Sequence, residues 1–413
     1  MSKPISERTL VFLLGSIQFV NILDFMMVTP LGPDFARDLG IPTSKLGLIG
    51  GSYAAAASIA GLLGTFFLDR FDRRKALGVA LAGLVLGTAA GGLSTGLVTL
   101  VLARVIAGMF GGPATSLAMS ILTDLVPPER RGRAFGAMMG AFSVASVVGV
   151  PAGLWMSRQG GWRSPFLAVA GLGMTLGAAC VMLLPPVRAH LDRHRQGGHQ
   201  DVPLLSIIAR REVTLALCTI AATMMSSFLI IPNFSAYLQY NCGIPRSQME
   251  PLYAIGGVCS FLAMRLLGRM VDRYGSPRVA LGGTLIYVLT LTLGYLFGRL
   301  LLPATVIMAA FMVSQSARNI SATTLSSRVP GDDERARYQS MLSAVQHIAA
   351  AGGSFFGALM LTELPDGSLA GMTRLTILAM LLALLHPLLL TLIDQTLRRR
   401  DAAKLAAPVG ETA

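Results

Sequence analysis

Charge is scarce in this chain: Asp, Glu, Lys and Arg make up only 13% of its 413 residues, against about 25% in an ordinary soluble domain. A chain that is 53% hydrophobic, with a mean hydropathy of +0.63, cannot cover a water-facing surface with polar groups. A soluble globule is therefore excluded, and lipid is the solvent of most of the surface. Acidic residues are the scarcest charges, 21 against 34 Lys and Arg, for a net charge of +13. In a soluble protein that excess would point to nucleic acid. In a lipid-embedded one it marks loops held on the cytoplasmic side. Cysteine is nearly absent. Cys180, Cys218, Cys242 and Cys259 show no C-x-x-C spacing, and only Cys242 falls near an expected outer loop. Neither a disulfide framework nor a zinc site is expected. No A-x-A cleavage pattern follows a short apolar core at the N-terminus, where the first apolar stretch contains Asp24; it reads as a span rather than a signal peptide. No nucleotide loop, nucleophile triad or metal-ligand motif occurs. The expectation is a non-enzyme with no cofactor.

What is present is a succession of apolar runs, each about the 20 residues that a transmembrane helix needs. In the first half they fall at 9–31, 46–68, 76–94, 97–120, 134–157 and 163–186, and in the second at 213–236, 250–271, 279–299, 303–326, 339–361 and 372–393. Between the halves lies the longest connection, 187–212. Its histidines are irregularly spaced and unsupported by carboxylates, so it reads as a solvated linker rather than a metal site. The expected organisation is a six-helix bundle over 1–186, a cytoplasmic linker over 187–212, and a second six-helix bundle over 213–413 ending in a short cytoplasmic tail. An even number of spans puts both termini on one side. Connections on that side carry 24 Lys and Arg and those opposite carry 7, with Arg104, Arg265 and Arg318 inside spans. Both termini are expected in the cytoplasm.

The halves read as a repeat. Asp69-Arg70 and Asp272-Arg273 are 203 residues apart, as are Val126-Pro127 and Val329-Pro330; Pro30 and Pro232 are 202 apart. Coincidences at one offset, all at loops or span ends, indicate parallel repeats, a transporter plan that places the substrate path between the halves near the midplane.

Gly268-Arg-Met-Val-Asp272-Arg273-Tyr-Gly275 fits G-x-x-x-D-R-x-G between spans 8 and 9. It resembles the cytoplasmic signature loop of the major facilitator superfamily. The matching first-half loop, Thr65-Phe-Phe-Leu-Asp69-Arg70-Phe-Asp72-Arg73, keeps the Asp-Arg pair and the basic end but has neither glycine. Asn21-Ile-Leu-Asp24 followed by Pro30-Leu-Gly32-Pro33 resembles the first span of the twelve-span drug–proton antiporter branch, above all its arabinose-efflux-like bacterial members. Arg104-Val-Ile-Ala-Gly108 is similar to that branch's span-4 arginine motif. Gly149-Val-Pro151-Ala-Gly153, with Gly161-Trp162-Arg163 and Phe166, is similar to its span-5 Gly-Pro motif and the loop after it, with fewer glycines than the full antiport signature. Arg318 and Gln346 fall where these members carry Arg and Gln. The resemblance covers essentially the whole chain. It implies an all-α membrane protein of twelve transmembrane helices in two six-helix halves, a monomer in the cytoplasmic (inner) membrane. Its partners would be a small-molecule substrate, protons and the bilayer, not nucleic acid.

Asp24 and Arg104 carry the most chemistry. A charge at mid-bilayer is unfavourable by about 2.5–3.5 kcal/mol even on the lenient insertion scale, so each must face a cavity or a partner. Each lies about seven residues from the outer end of its span, roughly 10 Å deep at 1.5 Å per residue. Matching depth allows an ion pair, serving either as packing or as a proton-coupling site. Aligning the prolines of the two halves puts Ser226 at the second-half equivalent of Asp24, which favours the coupling role. Gln18 and Asn21 share a stripe of span 1 with Asp24 and read as cavity lining. Gln315, Arg318, Asn319, Gln346 and His347 are candidates to hold an anionic or hydroxylated substrate, or to hydrogen-bond between helices. Met27, Met225 and Phe228 would line a pliant apolar pocket, although ordinary packing explains each alone. Asp69, Arg70, Arg73, Gly268, Asp272, Arg273 and Gly275 are expected to act in topology and gating.

Two function classes follow: a secondary transporter, with proton-coupled export ahead of import or facilitated passage, and a non-transporting membrane sensor. The charges inside spans favour transport, and a sensor would normally add a soluble output domain for which the chain has no room.

Overall fold

The computed structural model describes residues 5–67, 70–187, 208–297, 300–330 and 335–406. Helix α1 (Glu7–Met26) opens on Ser6, whose hydroxyl accepts from the Thr9 amide at 3.1 Å, with Glu7 at the positive end of the helix dipole. It stops five residues short of the expected boundary at 31. Pro30 and Pro33 cannot donate to a continuing helix, so the chain turns and restarts as the short α2 (Gly32–Leu39). Then follow α3 (Leu46–Phe67), α4 (Arg73–Gly92) and α5 (Leu97–Leu125). The fifth span is α6 (Pro128–Val144), a π turn at Ala145–Gly149 and α7 (Val150–Gly160); α8 (Arg163–Leu183) closes the first half.

In the second half α9 (Arg211–Ile230) breaks ahead of Pro232 as α1 does ahead of Pro30, continuing through a 3-10 turn at Ile231–Asn233 and the single turn Phe234–Ala236. After it come α10 (Met249–Tyr274), α11 (Ser276–Leu291), α12 (Ala304–Ser326), α13 (Arg335–Met360) and α14 (Met372–Ala406). Most of the 187–212 connection lies outside the described residues.

Among the described residues ten helical segments are long and apolar enough to cross a bilayer. The two other long helices, α12 and α13, occupy the places of expected spans 10 and 11 but are not in that set. Gln315, Arg318 and Asn319 on one, and Arg335, Gln339, Gln346 and His347 on the other, dilute their apolar character. Many large apolar side chains face outward, among them Phe12, Leu86, Val98, Met182 and Leu359, the most exposed being more than 70% accessible. That surface suits lipid.

Within the first half α3 packs on α5, α4 on α5 and α8, and α1 on α6 and α8; within the second, α9 packs on α13 and α14, α12 on α10 and α11, and α11 on α14. The halves meet along α3 and α13 and along α7 and α10.

The two signature loops make the same corner by different means. Gly275 sits at φ +84° between α10 and α11, a conformation that strains any side chain, and its amide reaches the Val271 carbonyl at 2.9 Å. In the first half the residue 203 positions earlier is Asp72, at φ −58°. There the carboxylate caps α4 instead, accepting from the Arg74 amide at 3.0 Å. The missing glycine is thus explained by a side-chain cap.

At the end of the bundle away from the termini, the connection between α13 and α14 forms a small hairpin that the sequence reading lacked: β1 (Thr362–Glu363) pairs antiparallel with β2 (Leu369–Ala370). Asp366 tightens its turn by accepting from the Ser368 hydroxyl at 2.6 Å, a bond that holds its carboxyl below the usual range. At the opposite end α14 runs well past its expected limit at 393. Its Arg400 closes the ladder of α12 by donating to the Arg328 and Val329 carbonyls at 3.0 and 3.1 Å.

Candidate functional site: a buried ion pair beside a cavity between the halves

Asp24 and Arg104 meet. Both are fully buried, and Arg104 Nη1 donates to both carboxylate oxygens of Asp24 at 3.0 Å. α1 carries Asp24 and α5 carries Arg104. Three neighbours that sequence inspection missed or left without a role complete the pair. Thr88 on α4 donates to Asp24 Oδ1 at 2.8 Å. The Gly87 carbonyl lies 3.5 Å from Arg104 Nη2. Phe166 on α8 stacks on the guanidinium, 5.1 Å from its centroid. A cation over a ring face and a charge-assisted bond both favour the ionised pair. Among the described residues Arg104 Nε has no partner.

One turn along α1 lies Asn21. Its amide donates to the Gly111 carbonyl at 3.0 Å and to Thr115 Oγ1 at 2.6 Å, and its oxygen accepts from the Tyr53 hydroxyl at 2.6 Å. Tyr53 is within electrostatic reach of both Asp24 and Arg104. Asn21 and Tyr53 also line a cavity between α3, α5 and α13, which His347 and Ser343 border from the second half. Asn21 therefore borders the cavity one helical turn from the Asp24 of the ion pair. Gly111 is required there, because a β-carbon would stand 2.2 Å from the Tyr53 hydroxyl and 2.7 Å from Asn21 Oδ1. Gly111→Ala is accordingly expected to lower stability by about 1–3 kcal/mol, the usual range for overpacking. A melting curve unchanged from wild type would show that the network yields without loss.

The other expected site residues divide. Gln18 is buried, and among the described residues its Oε1 has no partner. Met27 is buried in an apolar cluster that draws side chains from both halves and does not border the cavity. Met225 and Phe228 lie at the junction of the halves, where Phe228 meets Phe25 at 5.8 Å between ring centroids. His347 is half-buried and donates from Nδ1 to the Ser343 carbonyl at 2.8 Å. Gln346 is exposed and does not border the cavity. Asn319 is half-buried. Gln315 binds Arg318 on the same helix.

Of the gating candidates, Asp69 lies outside the described residues. Arg73 pairs with Asp124 at 2.5 Å, tying the start of α4 to the end of α5. Arg70, Asp272 and Arg273 are exposed, and Asp272 makes no ion pair among the described residues. Gly268 sits within α10, not in the loop.

The halves are clasped at the hairpin end by contacts that sequence reading missed. Asp34 of α2 is buried and accepts from Arg246 of the second half, with Nη2 at 2.8 Å and Nε at 3.1 Å from the carboxylate; Arg37 at 3.0 Å and Ser157 at 3.2 Å complete its shell. Glu250 meets Arg158 at 3.4 Å, and Glu363 of the hairpin accepts from the Thr43 amide at 2.5 Å. Asp34 directly follows the quoted Pro33, and its burial was the signal no local pattern could show.

The sequence pattern of the Major Facilitator Superfamily matches residues 14–226 and again 215–410. The chain belongs to that superfamily. Its members are transporters rather than enzymes. This superfamily chain is 26% identical over 272 residues to the inner membrane transport protein YdhP of Escherichia coli, covering 65% of the chain and 68% of YdhP. It is 26% identical over 335 residues to the chloramphenicol efflux pump Rv0191 of Mycobacterium tuberculosis, covering 79% of each. Its fold matches the inward-facing, occupied structure of a bacterial homologue of the human lysosomal transporter Spinster, with TM-score 0.73, 18% identity and coverage of 96% and 98%.

Proposed function

We propose that this protein is a proton-coupled secondary transporter of the cytoplasmic membrane that exports a small organic molecule by alternating access. The observation that carries the reading is the Asp24–Arg104 pair: a buried ionisable couple, one helical turn from a residue that lines a cavity between the halves. Such a couple is poor scaffolding, because replacing a buried ion pair by apolar groups is often neutral or stabilising. Its value lies in being breakable. Protonation of Asp24 removes the charge that holds Arg104 Nη1, and the released guanidinium is free to move with α5. Asn21 and Tyr53 supply the donors and acceptors through which water from the cavity reaches the carboxylate. Among the described residues the second half has no matching couple: Ser226 occupies the aligned position and donates to the Ala379 carbonyl at 2.8 Å. Proton handling thus belongs to the first half. With both termini in the cytoplasm, as the basic loops require, the Asp34–Arg246 clasp closes the outer end. Rv0191 is an efflux pump by name, which supports the outward direction. The protein works as a monomer, each copy holding its own pair and cavity.

The reading is tested with purified protein in liposomes under an imposed pH gradient, against a panel of amphenicols, sugars and lipophilic cations. Accumulation of one of them against its gradient, with proton movement in the opposite sense, is the expected result. Substrate equilibration that ignores the gradient makes the protein a facilitator and ends the coupling role of Asp24.

A further inference from the structure

The second half buries a charge that the proton-coupling pair leaves unexplained. Arg318 on α12 is fully buried, and among the described residues no carboxylate pairs with it. Its Nη1 donates to Gln315 Oε1 at 2.9 Å. Its flat face lies over the Tyr287 ring of α11, 4.3 Å from the centroid. Those two contacts orient the guanidinium, and among the described residues Nε and Nη2 have no partner at full hydrogen-bond geometry. Nε and Nη2 together form the side edge of the guanidinium, two parallel N–H bonds whose spacing matches the two oxygens of a carboxylate.

The surroundings are polar and incompletely satisfied. The Tyr287 hydroxyl donates to the Ser226 carbonyl at 3.0 Å, and its oxygen is close enough to the guanidinium to act as a weak neutral acceptor without balancing its charge. His386 of α14 is within electrostatic reach of Arg318; its Nδ1 engages Thr223 Oγ1 at 2.6 Å and its Nε2 is unpartnered. The Ser321 hydroxyl, one turn from Arg318, is unpartnered as well. The contrast with the first half is direct. Arg104 meets both oxygens of Asp24 through Nη1, so its charge is balanced inside the bundle, while that of Arg318 is not. A buried cation without a counter-charge is strongly unfavourable, and the unused edge shows the shape of the anion that would relieve it.

We propose that Arg318 is the docking point for the carboxylate, or an equivalent planar oxyanion, of the transported molecule, so that the substrates are small organic anions. The proposal rests on the transport reading above and adds the chemical class. Gln315 and Tyr287 hold the guanidinium in place, the free edge grips both oxygens, and His386 Nε2 and the Ser321 hydroxyl are further polar groups available to the head group. Proton coupling in the first half and anion recognition in the second are then carried by different arginines.

The test uses the full chain in lipid nanodiscs. Binding and thermal stabilisation are measured for benzoate and salicylate, for benzamide and salicylamide as matched neutral partners, and for chloride at the same ionic strength. The acids are expected to bind at least about tenfold tighter than their amides, the discrimination that a lost charge-assisted pair produces. Arg318→Gln should abolish that difference and, without ligand, melt higher than wild type, because it removes an unbalanced buried charge. A guanidinium that merely ties helices together predicts a lower melting temperature instead. Gln315→Glu supplies an internal carboxylate beside Arg318. It should stabilise the ligand-free protein and weaken acid binding by about tenfold or more, since the site is already filled.

Equal binding of acids and amides, equal stabilisation by chloride, or a fall in the ligand-free stability of Arg318→Gln overturns the proposal. Proton-driven export measured in parallel separates the two readings. Export of a neutral compound with no acid binding refutes the anion site alone. Acid binding that depends on Arg318, with no uphill transport, supports the site and refutes the coupling.

Discussion

Asp24→Asn is expected to abolish uphill transport, lowering it by about 100-fold or more, the usual scale for removing a proton-transfer group, while substrate affinity changes little. Asparagine reproduces the shape of the protonated acid. It can still accept from Thr88 and from Arg104 Nη1, but it cannot cycle between charged and neutral. The gradient-independent exchange of labelled substrate should survive, because that half-reaction needs no change of protonation. Transport under a pH gradient and exchange without one, measured in the same liposomes, check this. Wild-type uphill rates in Asp24→Asn would falsify the coupling role and leave the pair as packing.

The partner substitution behaves differently. Arg104→Gln removes the counter-charge of the buried Asp24 carboxyl, a loss that removal of one partner of a buried pair puts at about 3–5 kcal/mol. Low yield and early melting are expected. The double variant Asp24→Asn with Arg104→Gln should recover much of the stability without recovering transport, since no charge then remains unbalanced. A double variant no more stable than Arg104→Gln alone would mean that the two residues do not act as a pair.

The second large effect is at the clasp. Asp34 binds Arg37 of its own helix, Arg246 across the halves and Ser157 of α7, and its side chain is only 3% exposed. Asp34→Asn keeps the volume and removes the charge that three donors share. Truncating one partner of a buried charged contact between two bodies is worth about 2–5 kcal/mol. The closed outer arrangement should therefore lose its advantage and the hairpin end should open. Ser235→Cys, in a background with the four native cysteines replaced, reports it. Ser235 is buried and donates to the Pro30 carbonyl at 3.1 Å across the halves, so its thiol should be sealed in the parent and react at least about tenfold faster with an impermeant reagent in Asp34→Asn. Equal reaction rates would assign the clasp no part in closure. Substrate affinity measured from the terminal end should change little, because Asp34 does not line the cavity.

Some of this was present in the sequence alone. The hydropathy rhythm and scarcity of charge established a helical membrane protein, because a lipid environment permits one long apolar run per crossing and little else. The 203-residue offset established the repeat. Asp24 and Arg104 stood out because mid-span charge is intrinsically unfavourable, and counting residues along two helices was enough to match their depths. The break before Pro30 was misplaced by five residues, since a proline disturbs the helix ahead of it as well as at it.

What only the tertiary structure decided is which side chains meet across large separations. Thr88 reaches Asp24 over 64 positions, Tyr53 and Thr115 take up Asn21 from two other helices, and Arg246 meets Asp34 over 212. None of these carries a local signal, since a threonine or tyrosine within a span looks the same whether it faces a neighbour, a cavity or lipid. The rotation of each helix about its own axis settles that, and rotation is fixed by packing against partners far away in the chain. Composition and periodicity therefore determined that Arg318 must find something to offset its charge. Only the packed second half decided that its face and one nitrogen are occupied while the edge shaped for a carboxylate is left free.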